Sequence, residues 1–110
     1  MLGIDIIEIK RFRGVAKDDF SSWNKVFTEK EWEYCFGKSL PAQHLAGVFA
    51  SKEAVMKALG KSVIKGYDAI EIQHGPNGQP LVRLSVPTKH PVEISISHDK
   101  ESAVAVVFAK

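Results

Sequence analysis

Val92-Glu93-Ile94-Ser95-Ile96-Ser97-His98, followed after Asp99-Lys100-Glu101 by Ser102-Ala103-Val104-Ala105-Val106-Val107-Phe108, is the stretch that decides the fold. In the first run the apolar residues fall on even positions, the period of two that a half-buried strand shows, and His98 extends that face to the strand end. Asp99 to Glu101 is short enough to close a tight connection, so the two runs are predicted to pair antiparallel. Two more runs of this kind stand upstream, Asp68 to His74 and Leu81 to Val86, with the turn signal Asn77-Gly78 between them. Before Gly66 the period changes to that of helices. Thr28 followed by Glu31 has the form of a capping box, opening a short helix through Trp32 and Tyr34 that stops near Gly37. A longer helix is bounded by Pro41 and Gly60, with Leu45, Val48, Phe49, Val55, Met56 and Leu59 at helical spacing. The isoleucine-rich opening, Leu2 to Ile9, reads as another strand, leading into a polar and basic stretch. Helices segregated from a run of strands predict an α+β fold, an antiparallel sheet packed with a long central helix.

The 110 residues accommodate one domain, 1–110, and 45% hydrophobic with 25% charged residues is the composition of a folded globule. Fifteen Lys and Arg against 13 Asp and Glu lack the basic excess of a dedicated nucleic-acid binder, leaving an anionic small molecule or an acidic protein as partner classes. The single cysteine, Cys35, has no disulfide partner and no zinc-site neighbour, which suits a reducing compartment. The start, MLGIDIIEI, lacks the basic flank of a secretory signal, and Ala103 to Ala109 falls short of the roughly 20 residues of a membrane span. The expectation is a soluble cytoplasmic protein.

Four places can carry chemistry. Asp5 shares a strand face with Ile7 and Ile9, where a carboxylate needs partners: backbone or lysine donors at the strand edge, or a metal. On the long helix Glu53 and Lys57 flank the apolar stripe, either as an i,i+4 surface pair or as functional groups. Lys52 falls inside that stripe, and so either snorkels past the core or reaches an anionic ligand. His98 is a satisfied structural histidine or a ligand contact, and adjacent Ser97 points to the opposite face, which disfavours a serine–histidine nucleophile. Gly60-Lys61-Ser62 leaves a helix instead of entering one and lacks the earlier glycine of a phosphate loop, so it is not one. His44, His74, His90 and His98 match no local zinc spacing. Lys10, Arg11 and Arg13 form a small basic cluster suited to phosphates or to an acidic partner, or simply to solvent.

Taken in order, Gly3-Ile4-Asp5-Ile6, Phe49-Ala50-Ser51-Lys52-Glu53-Ala54 with Lys57-Ala58-Leu59-Gly60, and Ser95-Ile96-Ser97-His98 resemble the 4'-phosphopantetheinyl transferases, in particular the short holo-acyl-carrier-protein synthases. The resemblance spans essentially the whole chain and includes Gly78-Gln79-Pro80, where the family often has Gly-Lys-Pro. It implies Mg²⁺-dependent transfer of the phosphopantetheine arm of coenzyme A to a serine of an apo acyl carrier protein, releasing adenosine 3',5'-bisphosphate, in fatty acid biosynthesis. It further implies that Asp5 and Glu53 hold Mg²⁺, that Glu53 and Lys57 are catalytic, and that Lys57 and His98 contact coenzyme A. Ser51 and Lys52 are weaker candidates for coenzyme A contacts, and Arg11 is the position that engages carrier protein. Members of this size assemble as homotrimers with active sites between subunits. Where the family commonly has a Thr-Gly-Ile-Gly-like loop after Gly60, this chain reads Lys61-Ser62-Val63-Ile64-Lys65-Gly66. A silent carrier-protein-binding module and a coenzyme A hydrolase are the rivals; Asp5, Glu53 and Lys57 together favour the transferase.

Overall fold

The computed structural model describes residues 1–110. β1 (Leu2–Glu8) leads into a 3-10 turn, Ile9–Phe12, and a second 3-10 turn, Lys17–Asp19, runs into the single helical turn α1 (Phe20–Trp23). Then come α2 (Glu29–Phe36), α3 (Pro41–Leu59), a 3-10 turn at Tyr67–Ala69, β2 (Ile70–His74), β3 (Pro80–Leu84), β4 (Val92–His98) and β5 (Ser102–Ala109). This is the α+β class predicted, with every strand pair antiparallel.

The single predicted sheet is in fact two. β1, β5 and β4 form one in the order β1-β5-β4, and β2 and β3 form a separate hairpin. Pro87 and Pro91 bracket the connection between β3 and β4, and neither can donate to a ladder that would join the sheets. The first strand ends at Glu8, one residue before Ile9, whose N–H makes one last bond in the same register, to the Glu101 carbonyl at 2.8 Å. The chain then coils to bury Phe12 against Trp23, Phe27 and Phe49. That aromatic cluster continues through Trp32 to Phe20 and Phe36, and it explains the helical turn at Phe20–Trp23 that polar spacing alone did not show. In the hairpin, the predicted run from Asp68 begins at Ile70 because residues 67–69 coil, and the second strand shifts to start at Pro80. Its turn spans Gly75 to Gln79 with Gly78 at φ +81°.

α3 lies across the inner face of the three-stranded sheet. Ala46, Ala50, Ala54 and Ala58 recur every fourth residue and are buried, and the sheet answers with buried Ala103, Ala105, Val107 and Ala109. Small residues on both sides let helix and sheet approach closely, and Gly3 takes this to its limit. A Cβ built on Gly3 would lie 2.0 Å from the Ala54 carbonyl oxygen and 2.9 Å from the Ala58 nitrogen. Both are main-chain atoms, so no rotamer change relieves the overlap. Gly3→Ala is therefore expected to cost about 3 kcal/mol or more, the upper end for overpacking. A urea midpoint within error of the parent protein's would contradict this close contact.

Candidate functional site

The Gly3 contact sets Asp5 of β1 beside the outward edge of α3. Lys57 crosses the gap, its Nζ donating to Asp5 Oδ1 at 3.0 Å and to the Ile4 carbonyl at 3.0 Å. The sequence left open an i,i+4 pair between Glu53 and Lys57; the structure pairs Lys57 with Asp5 instead. Lys57 stays 55% exposed while Asp5 is largely covered, and Asp5 Oδ2 is buried with no hydrogen-bond partner at all. A buried carboxylate oxygen without a donor is costly unless something outside the protein chain meets it.

Glu53, one turn N-terminal to Lys57 on α3, is held from the other side. The Tyr67 hydroxyl donates to its Oε1 at 2.5 Å. That bond, together with burial and the negative charges of Glu53 and Asp5, pushes the Tyr67 phenol up to about 12, so it stays a donor at neutral pH. The Tyr67 ring packs on Phe49, 5.6 Å between centroids, and the Arg11 guanidinium lies over the same Phe49 at 5.4 Å. Asp5 with Lys57, and Glu53 with Tyr67, thus stand in one region, with Arg11 linked to it through the Phe49 ring and the charges of Asp5 and Arg11 both felt at Tyr67. Two carboxylates, one of them with an orphaned oxygen, fit a hard divalent cation that completes its shell with water and ligand oxygens.

Ser51 and Lys52 need correction as ligand contacts. Ser51 is fully buried and its hydroxyl donates back to the Gly47 carbonyl at 2.6 Å, an ordinary intrahelical bond. Lys52 is likewise fully buried, ion-paired with Glu31 Oε1 at 2.7 Å and donating to the carbonyls of Val26 at 2.7 Å and Tyr67 at 3.2 Å. Burial pushes the Lys52 ammonium down from the usual lysine range, and Glu31 opposes it. Its inward angle was read correctly, but the anion it meets is the protein's own. Neither side chain reaches the surface. Glu31 does more than the predicted capping box, which it makes with Thr28 (2.8 Å and 3.2 Å): its Oε2 also accepts from the Ile72 N–H at 2.7 Å.

His98 lies elsewhere. It is exposed at the end of β4, and the register aligns it through Ala103 with Ile7, two strand spacings or about 10 Å across the sheet. It borders a groove of about 790 Å³ with Ile9, Phe12, Leu40, Pro41 and Lys100, and its ring approaches His44 edge-on at 6.3 Å. Tyr34 stacks on His74 at 3.8 Å and meets His44 at 6.1 Å, a convergence of three histidines that local spacing could not show. Burial, then neighbouring positive charge, holds His44 and His74 below the usual histidine value. Tyr67 is the residue the sequence reading missed, as were the Lys52 and Ile72 partners of Glu31; the only signal for Tyr67 was its place directly after Gly66, where the character of the chain changes.

Residues 1–107 match the family model described as the 4'-phosphopantetheinyl transferase superfamily. A holo-[acyl-carrier-protein] synthase of Chlorobaculum parvum is 43% identical over 99% of this chain and 97% of its own length. One from Caldicellulosiruptor saccharolyticus is 41% identical over 99% and 94%. Among solved structures, the Bacillus anthracis holo-(acyl-carrier-protein) synthase in complex with CoA (3',5'-ADP) superposes with a TM-score of 0.79 at 38% identity, covering 98% of this chain and 93% of that one. The Helicobacter pylori synthase in complex with coenzyme A gives 0.80 at 32% identity, each chain covered completely. With family, relatives and folds in agreement along nearly every residue, the chain belongs to the 4'-phosphopantetheinyl transferase superfamily of enzymes.

Proposed function

We propose that this chain, acting as one domain over residues 1–110, is a holo-[acyl-carrier-protein] synthase. It moves 4'-phosphopantetheine from coenzyme A to a serine of apo acyl carrier protein and releases adenosine 3',5'-bisphosphate, with Mg²⁺ as cofactor. The observation that carries this reading is the partnerless Asp5 Oδ2 beside Lys57, next to Glu53, in a chain whose relatives bear that name. Asp5 and Glu53 are the residues that would hold the cation, which neutralises diphosphate charge when bound. Lys57 spends two of its three donors on Ile4 and Asp5 and keeps the third for a phosphate oxygen, steadying the leaving group. Glu53 is also the candidate to take the serine proton, directly or through a water.

His98 is assigned to coenzyme A and Arg11 to the acidic carrier protein. Arg11→Ala is expected to raise the KM for carrier protein roughly 10-fold and to flatten its dependence on salt, because a rim charge acts chiefly on association. A KM unchanged between low and high salt in the parent protein would count against Arg11.

The reading includes a homotrimer with coenzyme A between subunits. One feature supports it. The outer face of the β1-β5-β4 sheet exposes Leu2, Ile4 and Ile6 at 71%, 61% and 64%, flanked by Val106 and Phe108, an apolar patch of the kind that marks an interaction surface. A cytoplasmic site of action in lipid synthesis completes the proposal; no helix is long and apolar enough to cross a membrane.

Intact-protein mass spectrometry of an apo acyl carrier protein incubated with this chain and coenzyme A tests the reading. A gain of one phosphopantetheine, abolished by chelator and absent from a carrier whose serine is alanine, is expected. Binding of several carriers without any gain would replace it with a silent binding module.

A further inference from the structure

We infer that Tyr67 is a positioning residue for the cation site, fixing the Glu53 carboxylate so that one oxygen is committed to the protein and the other is presented to the metal. The inference rests on the reading of Asp5 and Glu53 as the cation's protein ligands. A glutamate at the edge of a helix turns about three side-chain bonds, and each unused rotamer is freedom that cation binding must remove. The phenol of Tyr67 removes it beforehand. Its hydroxyl meets Glu53 Oε1 at 2.5 Å, leaving Oε2 as the oxygen on offer.

A positioning group must itself be fixed, and Tyr67 is held at both ends. Its ring rests on Phe49, which packs in turn on Phe12 at 5.9 Å. Its carbonyl accepts from Lys52 Nζ at 3.2 Å, and Lys52 is locked by the fully buried pair with Glu31. A continuous set of contacts therefore runs from the buried ion pair, through the Tyr67 backbone and ring, to the carboxylate at the surface of α3. Neighbours on the same helix divide the work: Lys52 faces inward to hold the tyrosine, and Glu53 faces outward to receive its hydroxyl. Hydrogen-bonded partners of metal ligands commonly set affinity through orientation, without touching the metal.

Tyr67→Phe tests this with little else disturbed, since the ring keeps its place on Phe49 and the backbone carbonyl keeps Lys52. Binding of Mn²⁺ as a spectroscopic substitute is followed by electron paramagnetic resonance, with the full chain and saturating coenzyme A, for the parent protein, Tyr67→Phe and Glu53→Ala. Mg²⁺ titrations of the transfer rate accompany it. Tyr67→Phe is expected to weaken Mn²⁺ binding about 10-fold. It should raise the Mg²⁺ needed for half-maximal rate in parallel, while the KM for carrier protein holds. Parent-like Mn²⁺ affinity in Tyr67→Phe, with Glu53→Ala defective, overturns the positioning role and leaves the ligand assignment standing. A lowered melting temperature with parent-like Mn²⁺ affinity does the same, reducing the bond to a structural one. Equal Mn²⁺ binding by the parent protein and Glu53→Ala, or none by either, overturns the ligand assignment and Tyr67's role with it.

Discussion

Glu53→Ala is expected to lower kcat/KM for carrier-protein modification at least about 10³-fold, the loss that follows when a principal charge-stabilising element is removed from a phosphoryl-transfer site. The reason is local. Asp5 is already shared with Lys57, so it alone offers a divalent cation a single unoccupied oxygen, and that is a poor anchor for an ion that keeps most of its water. The fold should survive, because Glu53 is only half-buried and alanine is at home in a helix. Glu53→Gln is the sharper comparison: its amide oxygen can still accept from Tyr67, but the charge is gone, so activity is expected to stay low while stability matches the parent. Mass spectrometry of modified carrier over time, beside thermal melts of each variant, reads both quantities. Near-parent turnover in either variant would remove Glu53 from the metal site.

The largest effect on stability is expected at Glu31. This one side chain caps α2 through the Thr28 N–H, binds the Ile72 N–H of β2 and neutralises Lys52 of α3, all without solvent. Glu31→Ala leaves a buried ammonium without its counter-charge, held by the Val26 and Tyr67 carbonyls alone, and two main-chain donors without an acceptor; breaking a buried ion pair in this way typically costs about 3–5 kcal/mol. Against a usual total of about 5–15 kcal/mol, that is a large share. Urea unfolding measures it, and a loss below about 1 kcal/mol would mean that the pair is not buried as described. Glu31→Leu combined with Lys52→Met should recover part of the loss, because no charge is then stranded. The Thr28 and Ile72 donors remain unsatisfied in that double variant, so recovery stays incomplete.

The residues that announced themselves in the sequence did so through short-range regularity. Strict alternation from Val92 to His98 located β4 to the residue, and Thr28 with Glu31, Pro41 and Gly60 located the ends of α2 and α3. Asp5 was placed on the correct face of β1 by the same period-of-two argument. What escaped joins distant positions. Helical angle showed that Lys52 points inward but not that Glu31, 21 positions earlier, waits there. Tyr67 sits 14 residues after Glu53 in a short coil with no periodicity to read. The division into two sheets depends on how β3 and β4 are connected, which strand patterns by themselves leave open. The ordered motifs supplied the family, and that family supplied the roles; spacing on its own left Asp5, Glu53 and His98 each with two readings.

The contact of Gly3 with Ala54 and Ala58 lies two residues from Asp5 on the strand, and one residue from Glu53 and from Lys57 on the helix. The width of the gap between Asp5 and the helix edge is thus gauged by main-chain atoms touching main-chain atoms. A small enzyme with little interior to spare has in this way tied the spacing of Asp5, Glu53 and Lys57 to the packing of its fold, and the part that sets both is a hydrogen atom where other residues carry a side chain.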